Sequence, residues 1–377
     1  MTLLRSPVRD SNQMGTNMKR FSIVAVGAAV VCVAAFAVAD EGLRIERVFG
    51  RELPDPYKHP ASFTELTNGD LYLVYYGGSG EYGDDTWVRG SRLVKGTTEW
   101  TRPQVIADSP FRGDGNAVVW QAPDGIVWLF YVNRYGPTWS NSRIKYKISR
   151  DGAKTWSDSD MISFEEGTMV RARPIVLNNG DYLLPAYRET GHDQEFVGNE
   201  TGSYFYRMKK GTHDWVPTKL IHSRFGNLQP SVVQITDDYL ITYCRRAGGY
   251  GPKDHGRLIR AESHDGGSTW SAGAASQFPN PNAATDFIKL RNGHLLLVYN
   301  DDENSTRMPL TVAISTDGDK TYPFKRNIVN KPGDSAAYPT AIQTSDGKIH
   351  VVYTSEGRSV INHAIFDEAV ILSSGGH

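Results

Sequence analysis

Cysteine is almost absent from this chain: Cys32 and Cys244 are the only two among 377 residues. Cys32 lies in an apolar N-terminal stretch read below as a leader, which leaves Cys244 alone. No disulfide can then form within the rest of the chain and no thiol cluster can hold a metal, so packing must carry the fold. Neither sign of charge is in excess, with 41 Lys and Arg against 42 Asp and Glu, and nothing favours nucleic acid or an anionic membrane as partner. The 10 histidines show no HExxH or other paired spacing, and there is neither a phosphate-binding glycine loop nor a dinucleotide fingerprint. No metal and no cofactor is expected.

Long apolar runs are missing too, apart from one. Lys19 and Arg20 precede FSIVAVGAAVVCVAAFAVA (21–39), and Ala37-Val38-Ala39 places small residues ahead of Asp40. A basic region, an apolar region and an A-x-A junction describe a secretory signal over residues 1–39, with Met18 as an alternative start and residues 1–17 as an over-called extension. The apolar run is also just long enough for an uncleaved anchor. The clean junction favours cleavage, and with it export to a bacterial periplasm or exterior, with no membrane contact afterwards. Asn199 and Asn304 begin glycosylation sequons that would matter only in a eukaryotic host.

What the chain has in abundance is repetition. A polar turn, an apolar run and a closing tyrosine recur six times: NGDLYLVY (68–75), DGIVWLFY (124–131), NGDYLLPAY (179–187), DDYLITY (237–243), NGHLLLVY (292–299) and DGKIHVVY (346–353). The tyrosines are Tyr75, Tyr131, Tyr187, Tyr243, Tyr299 and Tyr353, at intervals of 56, 56, 56, 56 and 54. Turn residues followed by β-formers read as strands, and six all-β units of this period predict a six-bladed β-propeller with about four antiparallel strands per blade. Residues 40–377 are used up by one such domain.

A second marker runs beside the first. GTTEW, SRDGAKTW, GTHDW, SHDGGSTW and STDGDKTY end at Trp100, Trp156, Trp215, Trp270 and Tyr322. Ser263, Asp265, Gly267 and Trp270 belong to a complete Asp box; Ser149, Asp151 and Trp156 belong to a near copy with Ala153 in place of the second glycine. Asp and Ser/Thr side chains bond turn backbone, glycine supplies unusual dihedrals and Trp packs, so these residues are expected to be scaffold.

The innermost strand of each blade should precede the repeated phrase, beginning at a central pocket. Those segments open with His59, Asp114 and Asn116, Arg171 and Arg173, Gln229, Asp286 and Tyr338. Any one of them suits a strand cap; one polar opening per blade suggests a ring around a shared site. Trp139, in RYGPTWSNS, is an aromatic face for stacking a sugar or, equally, an interior loop anchor.

The six-fold phrase, the boxes and stretches such as NPNAATDFIKLRNGHLLLVYN (280–300) and AAYPTAIQTSDGKIHVVYT (336–354) resemble the sialidase-like family of BNR/Asp-box repeat proteins over residues 44–370. The resemblance implies a tyrosine nucleophile partnered by a glutamate, an aspartate acid/base in the first blade and three arginines on the substrate carboxylate. Tyr338 matches the tyrosine, Arg245 and Arg307 the second and third arginines. Asp84, in the acidic loop Glu81–Asp85, is expected as acid/base with a raised pKa. Two positions depart from the pattern. His59, with Lys58 beside it, stands where the first arginine is expected, and Gln229 stands where the glutamate would activate the tyrosine. Glutamine cannot take a proton, so Asp286 or Glu189 is expected to supply a base from another blade.

The implied activity is exo-acting hydrolysis of a terminal acidic sugar with retention, Tyr338 attacking, Asp84 protonating the leaving group, and His59, Arg171, Arg173, Arg245, Arg307 and Trp139 binding substrate. Gln229 and His59 keep two others open: a glycan-binding propeller without catalysis, and a lyase or hydrolase acting on uronic-acid polysaccharide with Tyr338 or His59 as base.

Overall fold

A computed structural model describes residues 42–374 apart from 195, 250, 252–255 and 305; the leader read over residues 1–39 lies outside the described residues. The chain forms six antiparallel sheets, the blades of a β-propeller. The repeated phrase builds the second strand of each: Leu71–Gly78, Val127–Arg134, Tyr182–Arg188, Leu240–Arg246, Leu295–Asn300 and Ile349–Ser355. A second strand is hydrogen-bonded on both edges and covered by a blade on both faces. Its sequence is therefore continuously apolar, and all six closing tyrosines are buried.

Six phrases but only five box-like markers occur, and the topology gives the reason. The marker turn joins the third strand of a blade to its outermost one. In the sixth blade the outermost strand is Leu43–Phe49 from the other end of the chain, paired antiparallel to Val360–Phe366 with Leu43 opposite Phe366. No turn joins these two strands, so no box is needed there.

In the complete box, Asp265 accepts from Ser263 Oγ (2.8 Å), the Ser268 and Thr269 amides (3.0 and 2.9 Å) and Thr269 Oγ1 (2.5 Å). Those bonds outweigh its partial burial and draw the carboxyl down to about 2. The ring that ends each marker reaches the preceding blade. Trp270 stacks on Phe205 at 4.5 Å, Trp156 lies 6.1 Å from Tyr72, Trp215 5.6 Å from Phe130, and Tyr322 4.9 Å from Phe278. Apolar packing between blades, not a disulfide, holds the ring: Cys244 is a free, buried thiol whose burial pushes it up to about 11.

At the hub, opposite blades are tied directly. Arg171 of the third blade donates to Thr340 Oγ1 (3.0 Å) and to the Tyr338 and Pro339 carbonyls (2.6 and 2.9 Å) of the sixth. Arg173 donates to the Ala341 carbonyl at 2.7 Å. Asp286 of the fifth blade accepts from the Ala341 amide (2.7 Å) and from Ser231 Oγ (2.8 Å) of the fourth.

Candidate active site

Four innermost strands begin with a β-bulge, where the register slips between His59 and Ala61, Gly115 and Val118, Leu228 and Ser231, and Ala337 and Thr340. In three of these bulges one residue has left-handed backbone: Asn116 (φ 43°), Gln229 (φ 53°) and Tyr338 (φ 55°). Such backbone costs about 1–3 kcal/mol at a non-glycine residue and re-aims its side chain. All three side chains, with His59, line one pocket at the hub.

Tyr338 is its centre. Arg245 Nη1 donates to Tyr338 Oη at 2.7 Å. The Arg307 guanidinium lies 5.2 Å from the ring centroid, Arg171 5.5 Å, and the His59 ring meets it edge-on at 4.2 Å. Burial opposes ionisation of the phenol. The Arg245, Arg307 and Arg358 charges outweigh it, so the Tyr338 pKa falls below the usual tyrosine value.

The third guanidinium is Arg358, which the sequence reading missed. It sits in the turn before Val360–Phe366, donates to Tyr57 Oη at 3.1 Å and forms an ion pair with Glu81. A sequence signal was there: the loop after each phrase faces the pocket, Arg307 follows the fifth phrase and Arg358 the sixth. Lys58, beside His59, turns away to the Asp55 carbonyl (2.5 Å).

The polar chain around Arg245 has a fixed direction. Its Nε donates to Asn282 Oδ1 (2.6 Å) and its Nη1 also to Gln229 Oε1 (3.2 Å). Arginine only donates, so the glutamine oxygen faces it and Nε2 faces Tyr187 Oη at 3.4 Å. Asn116 Nδ2 donates to the same oxygen at 3.1 Å. With two donors on its oxygen, Tyr187 directs its own O–H elsewhere in the pocket it lines.

Among the pocket carboxylates, burial raises Glu189 to about 7 against the pull of Arg245. Burial and the surrounding arginines hold His59 well below the ordinary histidine value. Its Nδ1 contacts Thr354 Oγ1 at 2.7 Å, and its Nε2 has no partner among the described residues. The pocket is narrow, with about 40 Å³ free, and adjoins an open cavity of about 890 Å³; Arg307 and Arg358 line both.

Several expected site residues stand elsewhere. Asp84 does not face the pocket: Arg134 binds it at 3.0 Å and leaves its side chain 73% exposed. Glu81 of the same loop lines the pocket instead. Asp286 and Arg173 line a separate cavity of about 300 Å³, and Arg171 is spent on backbone carbonyls beneath Tyr338. Pro174 offers no N–H, and the third blade's inner strand breaks into Thr168–Val170 and Ile175–Val176 around the Arg171–Arg173 turn. Trp139 lines the pocket but packs at 5.9 Å from Tyr76 and 5.8 Å from Tyr82, so it is wall and anchor at once. Tyr338, Gln229, Arg245, Arg307 and His59 are brought together.

No curated protein matches the chain. Solved structures of like fold include the Hadza microbial sialidase Hz136, at 15% identity and TM-score 0.69, covering 84% of this chain and 66% of that one. A protein of unknown function from Dyadobacter fermentans aligns at 16% identity and TM-score 0.70, covering 87% and 100%. The intramolecular trans-sialidase from Ruminococcus gnavus aligns at 13% and 0.68, covering 89% and 99%. At such identities the likeness is one of fold. The profile of the BNR repeat-like domain matches residues 69–351, and on that match the chain belongs to the BNR repeat-like family, with the architecture of a sialidase-like propeller.

Proposed function

We propose that the protein is an exported, exo-acting glycoside hydrolase that releases a terminal acidic sugar with retention of configuration. The observation that carries this reading is the 2.7 Å bond from Arg245 to the Tyr338 hydroxyl, inside a pocket that Arg307 and Arg358 also enter. Guanidiniums grip a carboxylate by paired bonds and favour the phenolate in the same place. The sugar carboxylate docks against Arg245 and Arg307. Tyr338 attacks the anomeric carbon as the phenolate while Glu189, protonated, gives its proton to the departing oxygen. The Glu189 carboxylate then takes a proton from water, whose oxygen attacks the same carbon and releases the phenolate. The acid/base role falls to Glu189 rather than Asp84 because its raised pKa lets it carry a proton near neutrality. The reacting end occupies the narrow pocket at the hub.

The test is turnover by the purified protein on a panel of terminal sialosides and uronides, with Tyr338→Phe alongside. Release of one acidic sugar, first as the anomer of the substrate and lost in the variant, supports the reading. Saturable binding without release favours a glycan-binding propeller.

One observation favours a second reading, a uronate lyase. The unpartnered Nε2 of His59, beside Tyr338, supports a base that takes the proton next to a carboxylate held by arginine. An unsaturated product absorbing in the near ultraviolet, abolished by His59→Ala, would replace hydrolysis by elimination.

A further inference from the structure

Among the described residues four aromatic rings are exposed: Phe111 (95%), Phe164 (81%), Tyr135 (42%) and Phe196 (39%). All four lie in loops on the pocket face. Phe111 leads into Asp114–Gln121, Tyr135 follows Val127–Arg134, Phe164 precedes Thr168–Val170 and Phe196 follows Tyr182–Arg188. The other exposed large apolar residues are Val94, Val105, Val176 and Val216, in outer strands or at the far end of the blades.

Phe111 is held with φ at 62°, in a turn closed by the Arg112 amide on the Ser109 carbonyl (3.1 Å). A bulky residue in left-handed backbone is strained, and a ring left in water gains no packing to offset it. Tyr135 lies between two guanidiniums, Arg112 at 4.5 Å and Arg143 at 5.2 Å from its ring centroid. Arg143 Nε also donates to the Phe164 carbonyl (3.2 Å), tying that loop to the cluster. Arg143 pairs with Glu166 at 3.5 Å, whereas Arg112 forms no ion pair among the described residues. The Tyr135 loop runs into Trp139, and Phe196 stands between Gln194 and Val197; those three residues line the pocket.

We propose that these rings form a track that binds an extended acidic glycan chain as it leaves the pocket. Flat rings take the apolar faces of successive sugars, and the Arg112 guanidinium takes a carboxylate, while Arg143 holds the Phe164 loop in line with it. The nature of the chain rests on the hydrolase reading. The surface itself stands apart from the reacting groups and makes the substrate a long acidic glycan rather than a short conjugate.

The test is a Phe111→Ala, Phe164→Ala double variant, with Val216→Ala as a surface control. Both phenylalanines are exposed, so the fold is kept. Calorimetric titration with polysialic acid, polygalacturonate and neutral dextran is read beside turnover of a short aryl glycoside. The expected result is that the wild type binds one acidic polymer in preference to dextran. Its affinity falls about tenfold or more in the double variant. Aryl glycoside turnover stays unchanged, and the control behaves as wild type. Equal polymer affinity in wild type and double variant overturns the proposal, as does no preference over dextran. Polymer binding lost in the double variant, with no turnover of anything by the wild type, upholds the track and removes the hydrolase reading.

Discussion

One nitrogen of Arg245, Nη1, lies 2.7 Å from the Tyr338 hydroxyl oxygen and 3.2 Å from Gln229 Oε1. The cation that favours the phenolate is thus oriented by the Gln229 amide. Replacing it with lysine removes the fork that spans Asn282, Gln229 and Tyr338 together. Arg245→Lys is expected to lower kcat/KM by about 100-fold or more. Spectrophotometric titration should also show the Tyr338 phenol moving back toward its ordinary pKa.

Tyr187 offers its proton to the pocket because Gln229 and Asn116 occupy its oxygen. Tyr187→Phe removes one donor without altering shape. It is expected to raise KM roughly threefold to tenfold, with kcat within about twofold of wild type. Equal KM values would show that the hydroxyl does not meet substrate.

Glu189 should matter in proportion to how badly the leaving group needs a proton. Glu189→Gln is expected to cost about 100-fold to 10,000-fold on natural glycosides and little on activated aryl glycosides. It also has a stability signature. A carboxyl raised from 4.5 to about 7 on folding binds its proton more tightly in the native state, so wild-type stability falls as pH rises between those values. Glu189→Gln should therefore melt above wild type at pH 8 and close to it at pH 4.5.

His350 Nδ1 and His363 Nε2 lie 2.8 Å apart in the sixth blade, both rings buried. Burial lowers His350 from 6.5 to about 4 and holds His363 well below its ordinary value. The unfolded chain then takes up more protons than the folded one as pH falls through this window, and stability drops with it. Tm should decline from pH 6.5 to pH 4 more steeply in wild type than in a His350→Leu, His363→Leu variant, read by calorimetry. His363 stands opposite Glu46 in the register, so amides of Leu43–Phe49 should lose hydrogen-exchange protection first.

The ring was legible because burial on both faces forces every second strand to repeat one pattern, ending in Tyr75, Tyr131 and their counterparts. Tyr338, Gln229 and His59 were legible because polar residues open one apolar inner strand after another, and the recurrence marked a shared site that no single residue did. Side-chain direction was not. Asp84 and Glu81 sit three residues apart in one loop, and their partners decide which faces inward: Arg134 from the next blade anchors Asp84 outside, and Arg358 holds Glu81 in the pocket. Arg171 and Arg173 look like pocket cations until Pro174 interrupts their strand and sends them across the hub. Arg358 lay in a short turn whose composition says nothing of a site. Its meaning comes from the loop position it shares with Arg307.

The pairing of Leu43 with Phe366 brings together residues from the two ends of the described chain. A chain that emerges N-terminus first must carry an unpaired strand until its last blade arrives, so ring closure is the slow, late event of folding. That clasp completes the blade that carries Tyr338. Tyr338 and Arg358 are therefore the last pocket residues to be set in place, and a loosened clasp would undo the pocket while five blades remain folded.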